Sequence, residues 1–146
     1  MPKKWIMLVE DDSDHVALIL RALKRHGVTD EVVVMLDGEE ALDYLYSRGL
    51  FSARPLPELP TLVLLDLKLP KVNGLEVLQH IRADERTRFL PVVVLTSSDE
   101  QRDVQESYRL GTNSYVRKPV DFIQFMEAMH QLVQYWLNLN QVPNLE

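Results

Sequence analysis

Four short stretches of the chain carry side chains that could do chemistry together: Glu10-Asp11-Asp12, Asp66, Thr96-Ser97 and Lys118-Pro119. Crowded carboxylates repel one another and are stable as a group chiefly when a cation neutralises them. Mg2+ suits such a cluster, being a hard ion that takes oxygen ligands octahedrally and keeps several waters; it usually accompanies phosphate chemistry. An ammonium and a hydroxyl facing the same carboxylate can neutralise and hydrogen-bond phosphoryl oxygens as charge develops on them. A carboxylate in that company is a candidate nucleophile for a transferring phosphoryl group. Singly, none of the four stretches is distinctive. A lone Asp after an apolar strand is commonly a cap, acidic triplets are commonly solvated, Thr-Ser commonly caps a helix, and Lys-Pro commonly ends a strand. Their force lies in where the surrounding elements put them.

Each stretch follows a short apolar, β-branched run. Such runs occur at Trp5–Val9, Val32–Leu36, Thr61–Leu65, Val92–Leu95 and around Ser114–Val116, and segments of helical period lie between them. In the first helical segment Val16, Ile19, Leu20 and Leu23 share a face, with Gly27 placed as a C-terminal cap. The second runs from a cap at Asp37 to Gly49, and the third starts after Asn73 with Leu75, Leu78 and Ile81. The fourth opens on the capping-box pattern Ser98-Asp99-Glu100-Gln101 and stops near Gly111. The last spans about 121–139. Strands alternating with helices imply an α/β fold: one doubly wound, five-stranded parallel sheet with right-handed crossovers and helices on both faces. Continuous apolar strands fit a sheet covered on both sides. In such a sheet function gathers at the carboxyl ends of the strands, where all four stretches fall. The connection 49–60, with Pro55, Pro57 and Pro60, is long for a helix-to-strand link and reads as a surface loop with local polyproline character.

The 146 residues fit a single domain, 1–146, with no second domain after residue 140. A chain of this length buries roughly 68–70% of its unfolded surface and needs no disulfide or metal staple. The absence of cysteine removes thiolate metal sites and cysteine nucleophiles. No apolar run approaches the ~20 residues that cross a bilayer, so no membrane association and a cytoplasmic location are expected. A net charge of −6 disfavours direct nucleic-acid binding.

The motifs Leu8-Val9-Glu10-Asp11-Asp12, Leu64-Leu65-Asp66-Leu67-Lys68-Leu69-Pro70 with Gly74 following, Val94-Leu95-Thr96-Ser97 and Tyr115-Val116-Arg117-Lys118-Pro119 together resemble the receiver domains of two-component response regulators, the CheY-like, flavodoxin-like fold. The resemblance covers residues 4 to about 135, leaving 136–146 as a C-terminal helix extension and no output domain. It implies strand order 2-1-3-4-5 and a signalling protein rather than an enzyme. Asp66 would accept a phosphoryl group from a histidine kinase. Glu10, Asp11, Asp66 and the backbone carbonyl of Lys68 would hold Mg2+, with Asp12 left to cap the next helix. Thr96 and Lys118 would contact the phosphoryl oxygens, Thr96 and Tyr115 would form the switch, and the Lys118–Pro119 bond would be cis. The proline-bearing loop, the Pro91–Ser97 run and the Trp136 tail look like the small response regulators of cyanobacterial phytochromes, which implies a phytochrome-like kinase and a separate, unidentified downstream protein. A phosphatase of the haloacid dehalogenase type also uses an Asp after a parallel strand, but it wants a second Asp where Lys68 stands.

A helical wheel on the last segment, advancing ~100° per residue, puts Phe122, Met126, Met129, Val133 and Trp136 on one stripe, flanked by Phe125, Leu132 and Leu137. Tyr135 and Leu139 fall outside it. Exposed large apolar groups beside a core stripe mark an interface, and receiver domains commonly dimerise near this helix, so a homodimer built on it is expected. His15, His26, His80 and His130 lie in different helical segments without ligand spacing, and none is expected to bind metal or carry phosphate.

Overall fold

The computed structural model describes residues 4–28 and 30–143. Strands β1 (Trp5–Val9), β2 (Glu31–Met35), β3 (Leu62–Leu65), β4 (Val92–Thr96) and β5 (Ser114–Arg117) alternate with helices α1 (Ser13–Arg25), α2 (Gly38–Tyr46), α3 (Gly74–Ala83), α4 (Gln101–Arg109) and α5 (Phe122–Val133). The strands form one parallel sheet in the order β2-β1-β3-β4-β5. Register brings the carboxyl ends level: Val9 pairs with both Met35 and Leu65, and Thr96 pairs with Arg117.

Side chains of successive strand residues leave opposite faces, so the sheet divides the core in two. Trp5, Met7, Val9, Val63 and Leu65 pack with Leu42 and Leu45 of α2 and with Val77, Leu78 and Ile81 of α3. Ile6, Leu8, Leu62, Leu64, Val93 and Leu95 pack with Ile19 and Leu23 of α1 and with Phe125, Met129 and Leu132 of α5. β1, β3 and β4 are buried throughout, as their unbroken apolar runs require, whereas the outer strands β2 and β5 are only partly covered.

Four helix starts follow from the residue at the cap, among them α5, where Asp121 accepts from the Ile123 and Gln124 N–H groups. Asp12 accepts from the Asp14 and His15 N–H groups, Asp37 from Glu40, and Asn73 from Glu76, each satisfying donors a helix start leaves open. Gly27 follows α1 in the left-handed region with φ +78°. The start of α4 departs from expectation. The helix begins at Gln101, and its cap Glu100 makes no side-chain capping bond. The Ser98 hydroxyl instead accepts from the Glu100 N–H (3.3 Å) and donates to the Asp103 carboxylate (2.5 Å). Ser98 is held back by β4 and β5, which keeps the chain extended two residues further.

α5 also departs from its wheel. Phe125, Met126, Met129, Leu132 and Val133 are buried, but Phe122 is 43% exposed, with the Arg21 guanidinium 5.7 Å from its ring centroid. Position on the wheel therefore does not guarantee burial in the first turn. After Val133 the helix widens into a π-helical turn, Gln134–Leu139, which leaves Tyr135 and Leu139 exposed. The proline-bearing loop is a packed surface loop. The Trp5 indole donates to the Glu58 carbonyl, Arg86 donates to the Leu45 and Pro57 carbonyls, and Arg54 stacks 3.8 Å from the Tyr44 ring centroid.

Candidate functional site

The carboxyl edge of the sheet opens into a cleft of about 360 Å3 lined by Glu10, Asp11, Asp66, Thr96 and Ser97 among others. Glu10 and Asp11 leave the end of β1, and Asp66 leaves the end of β3. The register that levels Val9 with Leu65 brings them together, so that a carboxylate oxygen from each lies within 4.8 Å of the others. The Asp66 backbone is fixed from two sides. Its N–H donates to the Val9 carbonyl at 3.0 Å, and one of its carboxylate oxygens accepts the Leu67 N–H at 2.7 Å. Gly74 closes over the same segment. Its N–H reaches the Leu67 carbonyl at 2.8 Å, and a Cβ there would lie 2.2 Å from the Asp66 carbonyl oxygen. Only a residue without a side chain permits that approach.

Lys118 crosses from the end of β5 and is 7% exposed. Its ammonium hydrogen-bonds Glu10 Oε1, lies 2.9 Å from His15 Nδ1, and lies 3.5 Å from Asp66 Oδ2. The tightest partner is therefore Glu10, with Asp66 at the limit of a hydrogen bond. Burial pushes the Glu10 carboxyl above its ordinary value. The Lys118 hydrogen bond opposes that rise, and the charge of Asp66 adds to it. Exposed Asp12 moves the other way, held below the usual range by the N–H groups it caps. The three clustered carboxylates face one ammonium. The charge left uncompensated, together with the all-oxygen donor set, fits a divalent cation of the hard class.

Thr96 is buried beside this group, and its hydroxyl accepts the Ser98 N–H at 3.4 Å. The Ser98 carbonyl in turn accepts the Tyr115 hydroxyl at 2.9 Å. One residue thus connects the two side chains expected to form the switch. Lys68 is exposed at the mouth of the cleft.

The structure brings Glu10, Asp11, Asp66, Thr96 and Lys118 to one place and puts Asp12 in its capping role. One expectation fails: no peptide bond among the described residues is cis, Lys118–Pro119 included. An X–Pro bond favours trans by roughly 0.5–1 kcal/mol, and the hydrogen bonds of Lys118 described above are satisfied with that isomer. Two contributors escape sequence reasoning. His15 enters the site from the first turn of α1, and Ser98 links Thr96 to Tyr115. His26 and His130, 104 residues apart, also meet, with Nδ1 atoms 3.3 Å apart.

Comparison with known proteins identifies relatives over nearly the whole chain. The model of the response regulator receiver domain matches residues 6–130. The probable methanogenesis regulatory protein FilR2 of Methanothrix harundinacea is 44% identical over 94% of this chain and 86% of its own length. Response regulator Rcp1 of Synechocystis is 34% identical over 97% of this chain and 95% of its own. Its Mn2+-bound crystal structure aligns with a TM-score of 0.87 over 97% of this chain and 99% of that one. The phosphorylated cyanobacterial phytochrome response regulator RcpA is 37% identical, with a TM-score of 0.87 over the same shares of the two chains.

Proposed function

We propose that this chain, which belongs to the response regulator receiver domain family, is the receiver module of a two-component phosphorelay and accepts a phosphoryl group on Asp66. The observation that carries the reading is the meeting of Asp66 with Glu10 and Asp11 within 4.8 Å and with a buried ammonium, Lys118, at 3.5 Å. The phosphodonor is a phosphohistidine. A carboxylate oxygen of Asp66 forms the new O–P bond as the N–P bond breaks, and the departing imidazole keeps the electron pair. Glu10, Asp11, Asp66 and the Lys68 carbonyl would hold Mg2+, which would supply charge neutralisation for the transferring phosphoryl group. Rcp1, solved in a Mn2+-bound form, supports a divalent cation as the ligand. Lys118 donates to a phosphoryl oxygen and offsets the charge gathering on it.

Switching begins at Thr96. A phosphoryl group brings roughly −1.5 to −2 charge and three acceptor oxygens, and the Thr96 hydroxyl turns towards them. That breaks its bond from the Ser98 N–H and loosens the loop whose Ser98 carbonyl holds Tyr115. The result is a changed surface for a downstream protein, and the chain acts as a signalling module rather than a multiple-turnover enzyme. Its partner kinase is phytochrome-like, as the similarity to RcpA supports. FilR2, whose name concerns methanogenesis regulation, supports a second reading in which the kinase senses another cue. Phosphotransfer timed from a panel of candidate kinases separates the two. The exposed Tyr135 and Leu139 of the last helix support a homodimer. A cytoplasmic location accords with the finding that no described helix is long and apolar enough to cross a membrane.

Incubation with Mg2+ and phosphoramidate tests the acceptor. Wild type gains one acid-stable, base-labile phosphoryl group and Asp66→Asn gains none. Normal incorporation in that variant refutes the assignment.

A further inference from the structure

We propose that His15 is a positioning residue for Lys118, a role that rests on the function proposed above. An ammonium has three N–H donors and no acceptor. Those of Lys118 meet Glu10 Oε1, His15 Nδ1 at 2.9 Å and Asp66 Oδ2 at 3.5 Å. Because Lys118 can only donate, His15 Nδ1 is bare and accepts, which places the imidazole proton on Nε2. That nitrogen lies 3.9 Å from the Asp12 carboxylate.

His15 is well placed for this. Its own N–H is capped by Asp12 at 3.2 Å, so the backbone of the first turn of α1 is fixed over the end of β1. The Lys118 side chain is only 5% exposed, so water does not readily replace a lost partner. A buried charge needs each donor satisfied. Glu10 and His15 occupy two of the three, and rotation about the Cε–Nζ bond is thereby fixed with the third N–H on the Asp66 side. The long Asp66 contact is the one a phosphoryl oxygen takes over. With His15 gone, the ammonium keeps Glu10 and only the long 3.5 Å contact to Asp66, and can turn about the Glu10 bond. The donor for the developing charge is then no longer pre-aimed, and orientation of this kind is what lowers the barrier. Occupation of Nδ1 by Lys118 leaves that nitrogen no free lone pair for a cation held by the neighbouring carboxylates.

Side-chain substitution separates positioning from bulk. In His15→Asn the amide oxygen stands as many bonds from the backbone as Nδ1 and accepts as it does. His15→Leu fills the space without an acceptor. With Mg2+ and saturating phosphoramidate, His15→Leu lowers the maximal rate of phosphate incorporation roughly tenfold, about one hydrogen bond to a charged group. His15→Asn stays within about twofold of wild type on the same scale, and the Mg2+ affinity of all three is equal by calorimetry. Equal rates in His15→Leu and wild type overturn the proposal, as does an Asn variant no faster than the Leu variant. A wild type that takes up no phosphate refutes the function and leaves this contact to a second measurement. Long-range 1H–15N correlation reports the His15 tautomer in the unmodified protein. The Nε2–H form is expected, and an Nδ1–H form overturns the contact even where a variant fails to fold.

Discussion

Gly74→Ala should damage both the fold and the acceptor, and the size of the effect follows from two distances. The new methyl would lie 2.2 Å from the Asp66 carbonyl oxygen and 2.6 Å from the Leu67 Cα, both backbone atoms that cannot rotate away. Ordinary contact begins at 3.4 Å, so the Asp66 carbonyl and the start of α3 must separate by 3.4 − 2.2 = 1.2 Å. Overpacking of this kind costs about 1–3 kcal/mol, and strain on the Gly74 N–H bond to the Leu67 carbonyl adds about 1 kcal/mol. Alanine returns up to ~1 kcal/mol of helix propensity. The net loss of ~1–3 kcal/mol lowers the melting temperature by roughly 3–10 °C for a domain of this size. Because the displaced backbone carries Asp66, incorporation from phosphoramidate should fall by up to ~100-fold, the effect of a ~1 Å misplacement. Gly27→Ala is the control. Its Cβ meets nothing within 4 Å and incurs only the φ +78° penalty, about 1–2 kcal/mol, far from the site. Circular-dichroism melts and phosphate incorporation well below the transition measure both. A Gly74→Ala protein with wild-type melting and rate, or a Gly27→Ala protein that loses as much incorporation, refutes the reasoning.

Asp66→Asn should melt at or above the wild-type temperature without Mg2+, because it removes a charge that repels Glu10; a clearly lower melting temperature would refute this. Thr96→Ala should still accept phosphate slowly but uncouple Tyr115, so phosphorylation-induced NMR shifts at Tyr115 that match those of wild type would remove the Ser98 link. The raised Glu10 carboxyl binds protons more readily folded than unfolded, so metal-free stability should fall as pH rises from the ordinary glutamate range through the raised value. Mg2+ needs the ionised form, so its affinity should weaken as pH drops through the same window; melts and calorimetry across pH check both signs. Sedimentation of wild type against Tyr135→Ala, Leu139→Ala tests the dimer, and a wild type that stays monomeric at high micromolar concentration ends it.

What local pattern can carry was legible in the sequence. β1, β3 and β4 are unbroken apolar runs because the sheet is covered twice, and Asp12, Asp37 and Asn73 stand where apolar periodicity begins. The acidic pair, Asp66, Thr96 and Lys118 were legible because each ends a different strand and parallel register levels those ends. The exceptions depend on pairs distant in the chain. His15 meets Lys118 across 103 residues and Glu10 meets it across 108, and no periodicity encodes which ammonium donor finds which acceptor. α4 starts late because Ser98 answers to Thr96 and Tyr115 before it answers to its own helix. Phe122 stays exposed because a wheel assigns a face and not a packing partner.

The late start of α4 has its reason in packing. Glu10 and Asp66 follow strands that are themselves buried throughout, so the acceptor and the acidic pair rest on the best-packed part of the sheet. α4 is different. Ser107 is its only fully buried residue, Tyr108 is 53% exposed, and its cap makes no side-chain bond. Elements with few buried apolar contacts are the ones that reorganise at low cost. Ser98 joins the two regimes, tied to Thr96 by its N–H and to α4 through Asp103 by its hydroxyl. On the proposed reading, a charge added at Asp66 cannot deform β1 or β3 and is relieved where the lattice of contacts is thinnest. The signal therefore leaves through α4 and Tyr115, not through the α1 and α5 face, where the apolar side chains of both helices are interlocked over the sheet.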